Sequence, residues 1–183
     1  NQVNQAAIVY HFFQKHLATA RPMWDDMYEE GERHFSFEGK EQAIVFVSKF
    51  PASARRGGLQ KFTVSLYQDG ENAAIKVSME PFFHPANDHG WRTEEVTLVD
   101  HVVSFSLFYF GSEDGVNDSE WMTDWLDKDH QPQEIKIMIT VLDQETKQVV
   151  SWPEMLIPLK MMVDSSAAQG IQSDEVVVDG SSQ

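Results

Sequence analysis

The sequence predicts an α+β fold, in which one N-terminal amphipathic helix packs on antiparallel β-sheet of about eight strands. A helical period of hydrophobic residues occupies the first two dozen positions, and a period of two follows it. Strands and helices do not alternate along the chain, which disfavours a doubly wound parallel sheet. We expect one domain at residues 1–163, with the helix at about 4–21 and the β region at about 35–160. A small, polar, flexible tail is expected at residues 164–183.

The predicted helix has a wide apolar face. At about 100° per residue, one half of the helical wheel collects Ile8, Val9, Phe12, Phe13, His16, Leu17 and Ala20. The polar residues His11, Gln14 and Lys15 fall on the opposite half. Pro22 predicts the end of the helix, because proline has no backbone N–H to donate. We expect His16, which lies inside the apolar stripe, to be a core or interface residue rather than a catalytic one.

The strands are predicted from alternation of apolar and polar side chains. Residues 62–67 and 74–79 alternate and flank a polar turn at 69–72, which is typical of a β-hairpin. Further strands are predicted at 35–39, 43–50, 95–100, 102–110, 134–143 and 149–159. Loops are expected at 51–58 and 84–91, and an acidic, irregular stretch is expected at 111–132.

Composition excludes several classes of function. The 29 acidic and 14 basic residues give a formal net charge of −15, which argues against binding to nucleic acid or to an anionic membrane surface. The chain has no cysteine, so it has no disulfide, no thiolate metal site and no thiol nucleophile. No run of 18 apolar residues is present in the sequence.

Two loops have side chains that metals prefer. His84, Asp88 and His89 could supply a zinc site, although their spacing matches no helical zinc motif and a solvated polar loop is the alternative. The stretch SEDGVNDSE makes Asp114 and Asp118 candidate calcium ligands. It does not follow the EF-hand order of ligands, and an acidic solvated loop is again the alternative. We therefore predict no cofactor, with calcium as the one ion to test.

The sequence contains no recognisable enzyme motif. It has no GxSxG elbow, no phosphate-binding GxxxxGK[ST] loop and no HExxH pair. We predict that the protein is not an enzyme and has no catalytic residues. Trp121 and Trp125 are interpreted either as caps on the sheet or as contacts for another protein or a sugar.

The order of elements resembles the periplasmic part of the J-type minor pseudopilins of bacterial type II secretion systems. The resemblance covers Ile8 to Leu159 and rests on short phrases spread along the chain. They are Phe37 with Gly39, Phe46 to Pro51, Gly58-Leu59, Val102 to Phe110, Trp121 with Trp125, and Pro132 to Ile135. The family's membrane-spanning helix and prepilin peptidase site would lie upstream of Asn1, so we expect Asn1 to be a processed or cut boundary.

The resemblance implies a pilin-like fold and a structural role at the tip of the pseudopilus, where assembly and export begin. It implies the I-, K- and H-type minor pseudopilins as partners, and the secreted protein as a further one. It places the domain in the periplasm, held by a single-pass helix in the inner membrane. The helix face from Ile8 to Leu17 is then shared between the domain's own sheet and a neighbouring subunit.

Two other functions are compatible with the sequence. One is a soluble ligand- or carbohydrate-binding β domain, with Trp91, Trp121 and Trp125 as stacking platforms. The other is a hydrolase whose site follows no common motif. A type IV pilus minor pilin would have a sequence similar to that of a pseudopilin.

Overall fold

A computed structural model of the chain describes residues 1–25, 31–50, 58–83 and 93–160. The described part is mostly β, with 52% strand and 12% helix. The prediction of an α+β, pilin-like fold is therefore wrong. One short helix lies over three sheets of two, five and five strands, which is not clearly a pilin-like arrangement. The strands also outnumber the eight expected, because several segments with no clear alternation pair over two to four residues.

The described residues form one helix and twelve strands. The helix α1 spans Gln2–His16. The strands are β1 (Trp24–Asp25), β2 (His34–Phe35), β3 (Glu38–Gly39), β4 (Ala43–Phe50), β5 (Gly58–Asp69), β6 (Asn72–Pro81), β7 (Glu94–Val99), β8 (Val102–Gly111), β9 (Glu120–Met122), β10 (Glu134–Leu142), β11 (Val149–Ser151) and β12 (Met155–Pro158).

All described strand pairs are antiparallel. A small sheet pairs β1 with β2, and the first large sheet has the order β3-β4-β5-β6-β7. The second large sheet has the order β11-β10-β8-β9, and β12 also pairs with β10. The predicted hairpin at 62–79 is confirmed, because β5 and β6 pair in continuous register from Gln60 opposite Pro81 to Asp69 opposite Asn72.

The helix begins and ends earlier than the predicted 4–21. It begins at Gln2 because the side chain of Asn1 accepts a hydrogen bond from the backbone N–H of Val3 at 2.8 Å. It ends at His16, six residues before Pro22. The Thr19 hydroxyl donates to the carbonyl oxygens of Lys15 and His16, which satisfies two of the acceptors left free at the helix end.

The last predicted strand, 149–159, is divided into β11 and β12. Pro153 lies between them and cannot donate to a ladder. The backbone N–H of Trp152 still donates to the carbonyl of Ile139, at 2.9 Å, so both short strands remain paired with β10. The predicted strand 35–39 is divided too. The backbone N–H of Ser36 donates to the carbonyl of Met23, next to β1, which lies outside the sheet that contains β3.

One hydrophobic core joins the helix and both large sheets. The helix contributes Val9, Phe13 and Leu17, and the sheets contribute residues such as Phe62 and Ile137. Side chains alternate between this core and the outside along β8 and β10. The second large sheet therefore has an inner face against the core and an outer face away from it.

Candidate functional site

The structure divides the predicted partner-binding face of the helix between core and surface. Val9, Phe13 and Leu17 are buried in the core of the domain, so a partner has no access to them. Phe12 is half-buried and packs against the same core. Of the six predicted contact residues only Ile8 is well exposed, at 67%.

His16 is a core residue of the domain. Its ring lies 5.0 Å from the ring of Phe12, 5.3 Å from that of Phe50 and 5.1 Å from that of Phe62, measured between centroids. Burial, followed by the charges of Lys15 and His11, lowers the pKa of His16 to about 4. The imidazole is therefore neutral at pH 7 and serves as a packing group.

A second apolar stripe on the helix faces a groove. Val3, Ala7 and Tyr10 are spaced at i, i+4 and i+7, and all three are exposed, Val3 by 74%. They line one wall of a groove of about 570 Å³, which we call the α1 groove. The remaining lining residues are Gln2, Ala6, Val150, Ser151, Trp152, Pro153, Glu154 and Met155.

Side-chain hydrogen bonds hold the start of the helix against the end of the second large sheet. The indole Nε1 of Trp152 donates to Oε1 of Gln2 at 3.1 Å, and Nε2 of Gln2 donates to Oδ2 of Asp143 at 3.1 Å. The backbone N–H of Thr146, followed by the Gln2 amide, lowers the pKa of Asp143. The α1 groove thus has a fixed floor, because Trp152 is both buried and hydrogen-bonded.

The helix is nearly uncharged in a strongly acidic chain. Its fifteen residues, QVNQAAIVYHFFQKH, contain no aspartate or glutamate, whereas the chain has 29. Lys15 is its single Lys or Arg residue and lies at the opposite end from the groove. Protein interfaces are depleted of charge at their centres, and this surface has that property.

The two tryptophans proposed as contacts have different environments. Trp125 is fully buried, its Nε1 donates to the carbonyl of His130 at 2.8 Å, and its backbone pairs with Gly39 through two hydrogen bonds. It caps the core and offers no surface. Trp121 is 42% exposed and packs its ring 5.1 Å from the ring of Phe110.

The acidic loop uses its first aspartate to order its own backbone. Oδ1 of Asp114 accepts hydrogen bonds from the N–H groups of Asn117 and Val116 and from the Ser112 hydroxyl. These donors, the Asn117 N–H above all, hold the pKa of Asp114 well below its usual range. The structure does not bring Asp118, the other candidate calcium ligand, to this carboxylate.

No group of three or more metal-ligating side chains occurs within the described ranges. His84, Asp88 and His89, the other metal candidates, lie outside the described residues, as does Trp91. The described helix is also too short and too polar to cross a membrane.

The sequence contains a signal for the α1 groove that the helical wheel alone does not reveal. The stripe of Val3, Ala7 and Tyr10 has the same spacing as the core stripe of Val9, Phe13 and His16, but it is offset around the helix. On the wheel the second stripe falls on the half that also carries Gln14, outside the wide apolar face. The second wall of the groove comes from residues about 150 positions later, which spacing along the chain cannot predict.

Comparisons with protein-family models and with curated proteins found no match to this chain.

Proposed function

We propose that the protein is a J-type minor pseudopilin, a non-catalytic structural subunit at the tip of the type II secretion pseudopilus. The sequence resemblance supports this proposal, and the observation that carries it is the partly exposed helix without acidic residues, with its adjoining apolar groove. The pilin-like fold that the resemblance implies is not part of the proposal. In this role the domain lies on the periplasmic side of the inner membrane and takes part in starting pseudopilus assembly.

Under this proposal the α1 groove accepts a helix from a neighbouring minor pseudopilin. Ala6 and Ala7 leave little side chain on the helix surface, so the backbone of a partner helix can come close. Tyr10 and Trp152 supply the large apolar and aromatic contacts that dominate binding energy at protein interfaces. The I-type subunit is the first partner to test, and the K- and H-type subunits are the next.

The test is a binding measurement between this chain and the periplasmic domain of the I-type subunit from the same genome. Ala7→Glu places a carboxylate in the groove, and we expect it to weaken binding by about tenfold or more, roughly 1.4 kcal/mol. Ile8→Glu, one residue along the helix on a different face, is the matched variant and should change affinity little. Equal binding by the parent chain and Ala7→Glu would show that the groove is not the interface.

A further inference from the structure

The outer face of the second large sheet carries its largest apolar side chains at one end. Strand register places Phe110 opposite both Trp121 and Glu134, and it places Lys136 opposite both Phe108 and Leu156. The outer patch, as we name it, is made of Phe108, Phe110, Trp121, Met138, Leu156 and Pro158. At the other end of the same face, Thr140 Oγ1 and Ser151 Oγ lie 3.2 Å apart, and Leu142 and Val149 are opposed beyond them.

The outer patch is exposed although it is built from large apolar residues. Trp121 is 42% exposed, Met138 47% and Leu156 42%, whereas Ile135 and Ile137, which alternate with Lys136 on β10, are fully buried. Four neighbouring strands, β9, β8, β10 and β12, spaced about 4.8 Å apart, bring these side chains into one area. Contiguous apolar exposure of this kind on a sheet face is typical of an interaction site.

A lysine lies within the patch, but its charge already has a partner. Nζ of Lys136 is 4.5 Å from the centroid of the Trp121 ring and 5.4 Å from that of Phe108. The same Nζ lies 3.5 Å from Oε1 of Glu154. Its ammonium group therefore holds the aromatic rings in place and is paired with a carboxylate.

One further carboxylate at the patch has no basic residue opposite it in the strand register. Glu134 lies between Phe110 and Pro158, on the face that also carries Lys136. The sum over Glu134, Glu154 and Lys136 is one net negative charge. A complementary partner must bring positive charge together with apolar side chains.

We propose that the outer patch docks a partner protein segment that presents apolar side chains together with arginine or lysine. A second copy of this chain would bring the same carboxylates and the same net charge of −15, so the partner is a different protein. This surface adjoins the α1 groove at Glu154, which lines the groove and pairs with Lys136, but the apolar residues of the patch are not among those that line the groove. The inference goes beyond the proposed function and does not depend on it.

The test is an NMR titration of the ¹⁵N-labelled full chain with two short peptides that share leucine and tryptophan residues. One peptide carries arginines and the other carries glutamates at the same positions. We expect the arginine peptide to shift the indole N–H signal of Trp121 and the backbone signals of β8 and β10, and the glutamate peptide to shift neither. Removing apolar area with Met138→Ser and Leu156→Ser together should weaken binding by about tenfold.

The matched control is Val149→Ser, an exposed valine in the same sheet that lies outside the patch, and it should bind the peptide as the parent does. Glu134→Gln should weaken binding without removing apolar area. The proposal is overturned if neither peptide shifts Trp121, or if both peptides bind equally well. The proposal is also overturned if oligosaccharides alone shift the Trp121 signal, because this would assign the patch to glycans. It is overturned as well if dilution of the chain alone shifts the signal, because this would assign the patch to self-association.

Discussion

At the scale of single residues, a glycine decides how the two large sheets meet. Gly39 exchanges two backbone hydrogen bonds with Trp125, at 2.9 and 2.7 Å. A Cβ at this position would lie 2.2 Å from Cζ of Tyr109, a fully buried ring whose hydroxyl donates to the carbonyl of Lys40 at 2.6 Å. Any larger residue must push this ring out of its site.

We predict that Gly39→Ala lowers the free energy of unfolding by about 1–3 kcal/mol, as overpacking does in a dense core. Chemical denaturation measures the change. In a Tyr109→Ala background the same substitution should cost much less, because the ring that it strikes has gone. Equal costs in both backgrounds would show that the contact is not the cause.

His16 predicts a dependence of stability on pH. Its pKa is lowered to about 4 in the folded protein and is near 6.5 in the unfolded chain. As the pH falls from 6.5 to 4, the His16 imidazole binds a proton in the unfolded chain but not in the folded protein. The unfolding free energy therefore decreases with falling pH, by no more than about 1.4 kcal/mol per pH unit from this one group.

The measurement is denaturation from pH 7 to pH 4 for the parent and for His16→Leu. The variant should lose less stability over this range than the parent does. Gln14→Leu, at an exposed position of the same helix, is the control for the added leucine and should keep the parent's pH dependence. Parallel curves for the parent and His16→Leu would contradict the assignment of His16 to the core.

At the scale of elements, helix α1 has a core stripe and an exposed stripe. We expect substitutions in the core stripe to lower the free energy of unfolding strongly and substitutions in the exposed stripe to change it little. Phe13→Ala removes a fully buried ring and should cost about 3–5 kcal/mol of stability. Val3→Ala, at 74% exposure in the exposed stripe, should cost less than about 0.5 kcal/mol. Thermal or chemical unfolding of both variants distinguishes the stripes. Similar losses at both positions would mean that the helix packs differently from this description.

The hydrogen bond from the Gln2 amide to the Asp143 carboxylate predicts a local effect on the pKa of Asp143 and on the first turn of α1. Gln2→Ala should raise the pKa of Asp143 toward its ordinary value, because one of the donors that favour the carboxylate is lost. The first turn of α1 should also exchange its amide hydrogens faster. NMR titration of the carboxyl group and hydrogen exchange measure the two effects. Gln5→Ala, which leaves this bond intact, should change neither of them.

The sequence could predict elements whose neighbours are close along the chain. The hairpin of β5 and β6 was predictable because alternation and turn residues both lie within about twenty positions. The short strands β1 and β9 were not, since two or three residues show no period. The sequence left open whether Trp125 caps the sheet or contacts a partner, because its loop is acidic and the residue that it pairs with, Gly39, is far away in sequence.

At the scale of the whole molecule, most of the acidic charge lies outside the α1 groove, whose one acidic lining residue, Glu154, is paired with Lys136. The chain carries a net charge of −15, yet α1 contains no acidic residue. Binding at the α1 groove should therefore be driven by apolar contact and should respond weakly to salt. Raising the salt concentration from about 0.05 to about 0.5 M should change the affinity for the I-type subunit by less than about threefold. A steep loss of affinity with salt would point to the acidic surface instead.

The most direct test of the proposed assembly role uses the absence of cysteine from the chain. Ala7→Cys creates a unique thiol in the α1 groove, to which a photoactivatable crosslinker can be attached. We predict that the labelled chain crosslinks to the I-type minor pseudopilin domain, whereas a chain labelled at Val149→Cys does not. The absence of a crosslink from position 7, or equal crosslinking from both positions, would contradict the account.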